Sequence, residues 1–239
     1  MFEAEAAGLS WLADAGAPVV PVLSVSVHAI ELPRLDSVHP QPADARAFGR
    51  ALARMHDAGA TQFGCPPAGY AGQMFIGRLP LSTRTHSHWG AFYAAERIEP
   101  YLERAVLAGN LGAADESATR AAAAAISAGA FDDSDVPVRL HGDLWNGNVL
   151  WTSSGAVMID PAAHGGHRET DLAMLDLFGC PLLAEIIAGY GEEHPLRAGW
   201  RDRIPLHQLH PLAVHAVGHG PSYGAALGQV ARATLALVR

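Results

Sequence analysis

Apolar positions recur with a helical period from the start of the chain. Ala6, Leu9 and Leu12 share one face of residues 3–15 and Gly16 closes the segment, so a short helix is expected there. The next stretch, APVVPVLSVSVHAIEL, is apolar and β-branched with interrupting prolines, which predicts two strands up to Glu31. PRLDSVHPQP reads as a linker by its prolines. From Pro42 the period is helical again, with Ala45, Phe48, Leu52 and Met55 on one face and Gly59 at the end. A loop rich in Gly and Pro follows. Helices are then expected at about 87–108 and 114–129, the second supported by the run AAAAA. VPVRL reads as a strand, and VLW and AVMI, joined by Thr152-Ser153-Ser154-Gly155, read as a β-hairpin ending in Asp160. Four helices complete the pattern at 170–178, 181–190, 200–218 and 222–237, the third interrupted by Pro205 and Pro211. This divides the chain into a small, strand-containing piece, 1–38, and a mainly helical lobe, 39–239.

The composition fits such a folded chain: of 239 residues, 49% are hydrophobic and 17% charged, which argues against disorder. The formal charge of -8 offers no basic footprint, so nucleic acid and anionic membranes are not expected partners. Cys65 and Cys180 stand alone, outside any C-x-x-C spacing, which fits a reducing cytoplasm. The start, MFEAEAAGLSWLADAG, is acidic where a signal peptide needs a basic region, and no apolar run approaches the roughly 20 residues of a membrane span. All 16 cationic side chains are arginine; the chain has no lysine.

The densest chemistry lies at 139–160, RLHGDLWNGNVLWTSSGAVMID. Asp143 follows the VPVRL strand, Asn148 comes five positions later, and the hairpin returns Asp160 to the neighbourhood of Asn148. Phosphoryl transfer needs mainly positioning and charge neutralisation. Asp143 suits the acceptance of a proton from an attacking hydroxyl, and Asn148 and Asp160 offer hard oxygen ligands to Mg²⁺. The D-x-x-x-x-N spacing is that of a kinase catalytic loop, with Gly142 where arginine is usual. Singly, these residues suit turns and strand ends; together, in this order on this strand pattern, they point to a kinase for a small hydroxylated molecule. His141 reads as a buried brace bonding to backbone. His164 and His167 suit either a substrate-facing position or the surface, in a chain with 13 histidines.

These residues carry a resemblance to the fructosamine kinases (ketosamine-3-kinases) of the aminoglycoside-phosphotransferase-like group. The matching text is HGDLWNGNVL and MIDPAAHGGHRETDLAM. MFEAEAAGL resembles the family's M-F-E-G-E segment, Trp89, Phe92, Tyr93 and Arg97 fall in its W-x-x-F-Y-x-x-x-R pattern, and Gln208, His215, Gly220 and Tyr223 resemble its C-terminal helices. The resemblance implies an α+β, protein-kinase-like two-lobe fold. It also implies transfer of the ATP γ-phosphate to the 3-hydroxyl of a sugar-derived ketoamine, small or protein-bound, a deglycation repair that needs ATP and Mg²⁺. By the same resemblance Asp143 is the base and Asn148 and Asp160 hold magnesium. Glu5 is the helix glutamate that pairs with an ATP-binding lysine, and Ile30, Glu31 and Leu32 form the hinge that meets adenine. Trp145 is a candidate sugar platform or a core residue, and His167 a candidate substrate contact. Asp171 is the brace of the catalytic loop or a plain acid at a helix start.

The chain departs from the family pattern at its beginning. The glycine-rich hairpin and strand lysine that precede the glutamate-bearing helix have no counterpart, and no arginine precedes Arg34. The expectation is an incomplete N-terminal lobe, short of about 50 residues, with weak ATP binding by the chain as it stands. The competing readings are a kinase for an aminoglycoside, choline or homoserine, a truncated non-catalytic pseudokinase, and a metal-dependent hydrolase. The last ranks lowest because no H-E-x-x-H pair is present.

Overall fold

Acidic residues in the first turn, Glu3 and Glu5, favour the start of helix α1 (Phe2–Ala13), and the chain leaves it through Gly16 at φ +74°. The computed structural model describes residues 1–238. They form two compact units, one of Met1–Thr83 with Val136–Arg197, the other of Arg84–Asp135 with the residues from Ala198 onward. No helix among the described residues is long and apolar enough to cross a membrane.

In the first unit, the strands expected before Glu31 are the antiparallel pair β1 (Ser24–Val25) and β2 (Ile30–Glu31). Helix α2 (Pro42–Asp57) buries the predicted face, Ala45, Phe48, Leu52 and Met55, together with Gly49 and His56. It packs on α7 (Leu183–Glu193) at backbone contact: a Cβ at Gly49 would collide with Ile186 O, and one at Gly189 with Arg46 O. Arg46, Arg50 and Arg54 meet Glu185, Glu192 and Glu193 along the exposed edge of this pair. Exposed ion pairs add little beside the packing beneath them.

Strand β5 (Val138–Leu140) is the expected one, and hairpin β6 (Val149–Thr152) and β7 (Gly155–Met158) pairs in the expected register. Two features differ from the reading of the sequence. The Gly- and Pro-rich loop contains a hairpin, β3 (Met74–Ile76) and β4 (Leu79–Leu81), around the two-residue turn Gly77-Arg78 with Gly77 at φ +54°. Its strands are too short, and one contains Pro80, for a period-2 pattern to show. Strand β8 (His164–Gly166) pairs antiparallel with β5, although His-Gly-Gly has no intrinsic strand preference. It leads to α6 (Glu169–Leu177).

In the second unit the helix expected at 87–108 is one run of three parts: α3 (Trp89–Phe92), a π turn (Tyr93–Ile98) and α4 (Glu99–Leu107). Pro100 has no N–H to offer Glu96 O, so the run widens there, and Arg97 Nη1 donates to that carbonyl at 3.0 Å. Helices α5 (Ala113–Ser127), α8 (Ile204–Gly218) and α9 (Pro221–Leu235) complete the unit. Pro205 falls in the first turn of α8, where proline is tolerated. Pro211 lies inside the helix and cannot bond to His207 O. Tyr93 Oη donates to that oxygen at 2.8 Å and accepts from His210 N–H at 3.2 Å, which lets the helix run through the proline. Tyr93→Phe removes this buried hydroxyl, and the expected cost is about 1–3 kcal/mol. Denaturant unfolding checks it; a loss below about 0.5 kcal/mol would contradict the role.

Candidate active site

Strand β5 delivers the chain to the loop that contains Asp143, and the turn between them is fastened from below. The Asp171 carboxylate accepts the N–H of His141 at 2.8 Å and of Gly142 at 3.0 Å. Gly142 adopts φ +81° and a Cβ there would collide with Ala162 O, so the arginine usual at this position has no room. His141 is fully buried, and its ring joins two loops: Nδ1 accepts Asp143 N–H at 3.3 Å and Nε2 donates to Ile159 O at 2.9 Å. Burial holds its pKa below the ordinary value, against the nearby Asp171 charge. A neutral Nε2–H imidazole satisfies both bonds.

Asn148 turns its amide back on the loop. Nδ2 donates to Asp143 O at 2.8 Å and Oδ2 at 3.1 Å, which leaves its Oδ1 as an acceptor. Ile159 N–H reaches Asn148 O at 3.0 Å, so the hairpin returns the chain to Asn148 as its pairing predicts. The next residue, Asp160, precedes Pro161 yet sits at φ +55°. That left-handed conformation is costly for a non-glycine residue and is disfavoured again by the following proline. It is fixed by the bonds on both sides of Ile159.

Helix α1 brings the third carboxyl. Arg139 on β5 donates to Trp11 O at 2.7 Å and lies 5.0 Å from the centre of the Trp11 ring, which ties the end of α1 to the strand leading to Asp143. Gly8 lets the helix come close to Pro161 and Ala163; a Cβ there would sit 3.2 Å from a side-chain carbon of each. Glu5 thereby comes close to Asp160. Glu5, Asp143 and Asp160 line one cavity of about 240 Å³, closed on another side by Met74, Phe75, Gly77 and Arg78 of the β3–β4 hairpin. Ile30, Glu31, Leu32, Trp145 and His167 are not among its lining residues.

The electrostatics follow from this crowding of acids. Burial pushes Glu5 up to about 7, helped by the charge of Asp160 close beside it. Burial likewise raises Asp143 to about 6, opposed by the Asn148 bond and reinforced by the charges of Asp160 and Asp171. Asp171 goes the other way: burial alone would raise it, but the bond from His56, the nearby imidazoles and the Gly142 amide hold it below the usual range. A hard divalent cation fits this donor set. The Asn148 Oδ1 and Asp160 carboxylate oxygens are the ligand types it takes, and its charge would relieve the repulsion that raises Glu5 and Asp143.

The other expected residues are distributed as follows. Trp145 is exposed, with its ring over Gly147, where a Cβ would strike it, and edge-on to Phe178 at 6.0 Å. It is therefore not a core residue. His167 is buried and its Nδ1 accepts Glu169 N–H at 3.2 Å; His164 is buried with Nδ1 on Ala162 O at 2.8 Å. Neither histidine is on the surface. Ile30 and Glu31 lie in β2, where Glu31 O accepts Leu23 N–H at 2.9 Å. The sequence reading missed Arg78, His56 and Tyr190. Gly-Arg between two apolar triplets was the available sign for the first, and a histidine on the apolar face of α2 for the second.

Comparison with known proteins gives the family. A sequence profile of the family described as fructosamine kinase matches residues 1–236. An Enterococcus faecium protein named "Probable ketoamine kinase" is 31% identical over 231 residues, 96% of this chain and 81% of that protein. The crystal structure of a candidate fructosamine-3-kinase from Thermobifida fusca matches with a TM-score of 0.91 at 47% identity, over 99% of this chain and 80% of that one. A choline/ethanolamine kinase family protein from Mesorhizobium loti shares the fold, with a TM-score of 0.59 at 19% identity, over 98% of this chain and 79% of that one. Fold and relatives define an ATP-dependent phosphotransferase of α+β, protein-kinase-like architecture that acts on a hydroxyl group. The chain belongs to the fructosamine kinase family.

A carboxyl whose pKa is higher in the folded than in the unfolded state stabilises the fold at low pH, and that contribution is lost as pH rises through the folded value. For Glu5 the window runs from 4.5 to about 7. Across it, the metal-free wild type is expected to lose stability relative to Glu5→Gln, in which this titration is absent. Urea midpoints at about pH 5 and about pH 7.5 check this; the same pH dependence in both proteins would contradict it.

Proposed function

We propose that the chain phosphorylates the 3-hydroxyl of a sugar-derived ketoamine, with ATP as donor and Mg²⁺ as cofactor, and so serves in deglycation repair. The observation that carries the reading is the convergence of Asp143, Asp160 and Glu5 on one small cavity, with Asn148 hydrogen-bonded to Asp143 on a loop held by Asp171. Asp143 is the base. Its carboxyl is kept in place by Asn148, and a value raised to about 6 leaves it ionised yet basic enough near neutral pH to take the hydroxyl proton. As that proton moves to the Asp143 carboxylate, the hydroxyl oxygen bonds to the γ-phosphorus and the bond to the ADP oxygen breaks. Asn148 and Asp160 would hold magnesium, which supplies charge neutralisation for the phosphates when bound.

Arg78 is the one arginine among the residues that line the cavity, and it offers its guanidinium to phosphate oxygens. Trp145, exposed just beyond Asp143, offers an aromatic face to the apolar side of a sugar. Ile30, Glu31 and Leu32 supply the adenine contact through backbone groups; with Glu31 O already engaged by Leu23, the contact falls to its neighbours. Once the ketoamine enolises toward its amine-bearing carbon, a phosphate on the carbon at the other side of the carbonyl is expelled by elimination, and water then hydrolyses the resulting imine to release the amine.

The test is substrate profiling with Mg-ATP, in which a fructosamine, choline, homoserine and an aminoglycoside compete and the product is located by phosphorus NMR. Phosphate on the fructosamine 3-oxygen is expected, and Asp143→Asn should lose about 100-fold or more in turnover with Mg-ATP binding nearly unchanged. Preference for any of the other acceptors would overturn the substrate assignment. A mutant within a few-fold of wild type would remove Asp143 from the role of base.

A further inference from the structure

Behind the Asp143 loop, buried polar side chains form a chain of hydrogen bonds that runs from α6 through α7 and α2. Besides the two loop amides, the Asp171 carboxylate takes a third bond, from His56 Nε2 at 3.1 Å. The other ring nitrogen, His56 Nδ1, lies 2.8 Å from Tyr190 Oη. Tyr190 Oη in turn accepts from Arg168 Nη1 at 3.2 Å, and Arg168 Nη1 also reaches Asp57 Oδ1 at 3.0 Å. His56, Asp171 and Tyr190 are each at most 1% exposed, and Arg168 is 5% exposed.

The two ends of this chain fix the direction of every proton in it. A guanidinium has no acceptor, so Tyr190 Oη must accept from Arg168, and an ionised carboxylate has no donor, so His56 Nε2 must carry its proton toward Asp171. A neutral His56 then has a bare Nδ1, and the single hydroxyl proton of Tyr190 is the group placed to fill it. Burial and the positive charge of Arg168 both disfavour an imidazolium at His56, against the opposing pull of Asp171. The donors therefore point one way, Arg168 to Tyr190 to His56 to Asp171, and the series ends on the carboxylate that holds His141 and Gly142.

We propose that Tyr190 and Arg168 are positioning residues for phosphoryl transfer: they lock His56 as the Nε2–H tautomer, so that Asp171 stays oriented toward the loop amides and Asp143 stays in place. Without the Tyr190 hydroxyl, the bare Nδ1 of His56 loses its donor and the imidazole is held at Nε2 alone. The ring is then free to tilt, and the Asp171 carboxylate it meets is less firmly aimed at the two loop amides. This predicts a loss in the catalytic step rather than in substrate binding, since none of these side chains lines the cavity.

The turnover arm of the test rests on the proposed kinase function; the tautomer arm does not. Long-range proton–nitrogen correlation NMR on histidine-labelled wild type should show His56 protonated at Nε2 and bare at Nδ1. Tyr190→Phe should lower kcat by about tenfold with KM for Mg-ATP and ketoamine within about twofold. Arg50→Ala, which breaks an exposed ion pair of the same two helices, should leave kcat unchanged. Arg168→Lys, which keeps a donor and the charge, should retain more activity than Arg168→Met. A His56 protonated at Nδ1 in the wild type would overturn the proposal whether or not Tyr190→Phe folds. So would a folded Tyr190→Phe with wild-type kcat. Absence of ketoamine phosphorylation by the wild type would sink the functional reading and leave the tautomer to decide this one.

Discussion

One buried carboxylate, Asp171, holds the turn between β5 and the Asp143 loop through the amides of His141 and Gly142. Those two N–H groups are buried and point into the protein, where an unmet donor would be costly. Their bonds fix the left-handed Gly142 and set the direction in which the chain enters Asp143. The His141 ring extends the hold across to Ile159, beside Asp160. The Asp143 loop and the carboxylate arm at the end of β7 are therefore one hydrogen-bonded assembly. Helix α1 is then brought against it by Arg139 and by the absence of a side chain at Gly8.

That assembly is expensive in isolation. Glu5, Asp143 and Asp160 crowd a cavity of about 240 Å³, and burial among like charges raises the pKa of Glu5 and of Asp143, so the three carboxyls resist full ionisation together. The φ of +55° at Asp160 adds backbone strain at the same place. The surrounding structure offsets this through apolar packing: Phe48, Leu52, Leu144, Trp151, Met158 and Ile186 belong to one buried cluster beneath the loop. A site of this kind gains from a bound cation and polyphosphate what it lacks when empty, which is consistent with phosphoryl transfer as its chemistry.

The helices and the β6–β7 hairpin were legible because each shows its own period and its own stop signal: the 45-48-52-55 stripe of α2, Gly59 after it, and the Ser-Gly turn before Ala156. The D-x-x-x-x-N loop and Asp160 were legible for the same reason, since their spacing along the chain is also their arrangement in space. Hairpin β3–β4 was not, because three-residue strands containing Pro80 carry no pattern, and its Arg78 was hidden with it. The histidines at 164 and 167 suggested surface or substrate; both are buried, which rules out the surface and follows from tertiary packing that polarity alone does not encode. Asp171 looked like either a helix-start acid or a brace, and only its bonds to residues some thirty positions earlier separate the two. His56 and Tyr190 occupy the apolar faces of α2 and α7, where a polar aromatic residue reads as core until its partners are seen.

If the Asp143 loop performs the chemistry, Asp171 must hold it in place. Asn at that position keeps the size but presents an N–H₂ group to one of the two loop amides. Amide hydrogen exchange at His141 and Gly142 in Asp171→Asn, followed alongside ketoamine phosphorylation, is the direct measurement. Fast exchange at those two amides, unchanged protection in α2 and α7, and a turnover lower by about 100-fold or more are the expected result. Protected amides with turnover near that of wild type would contradict it.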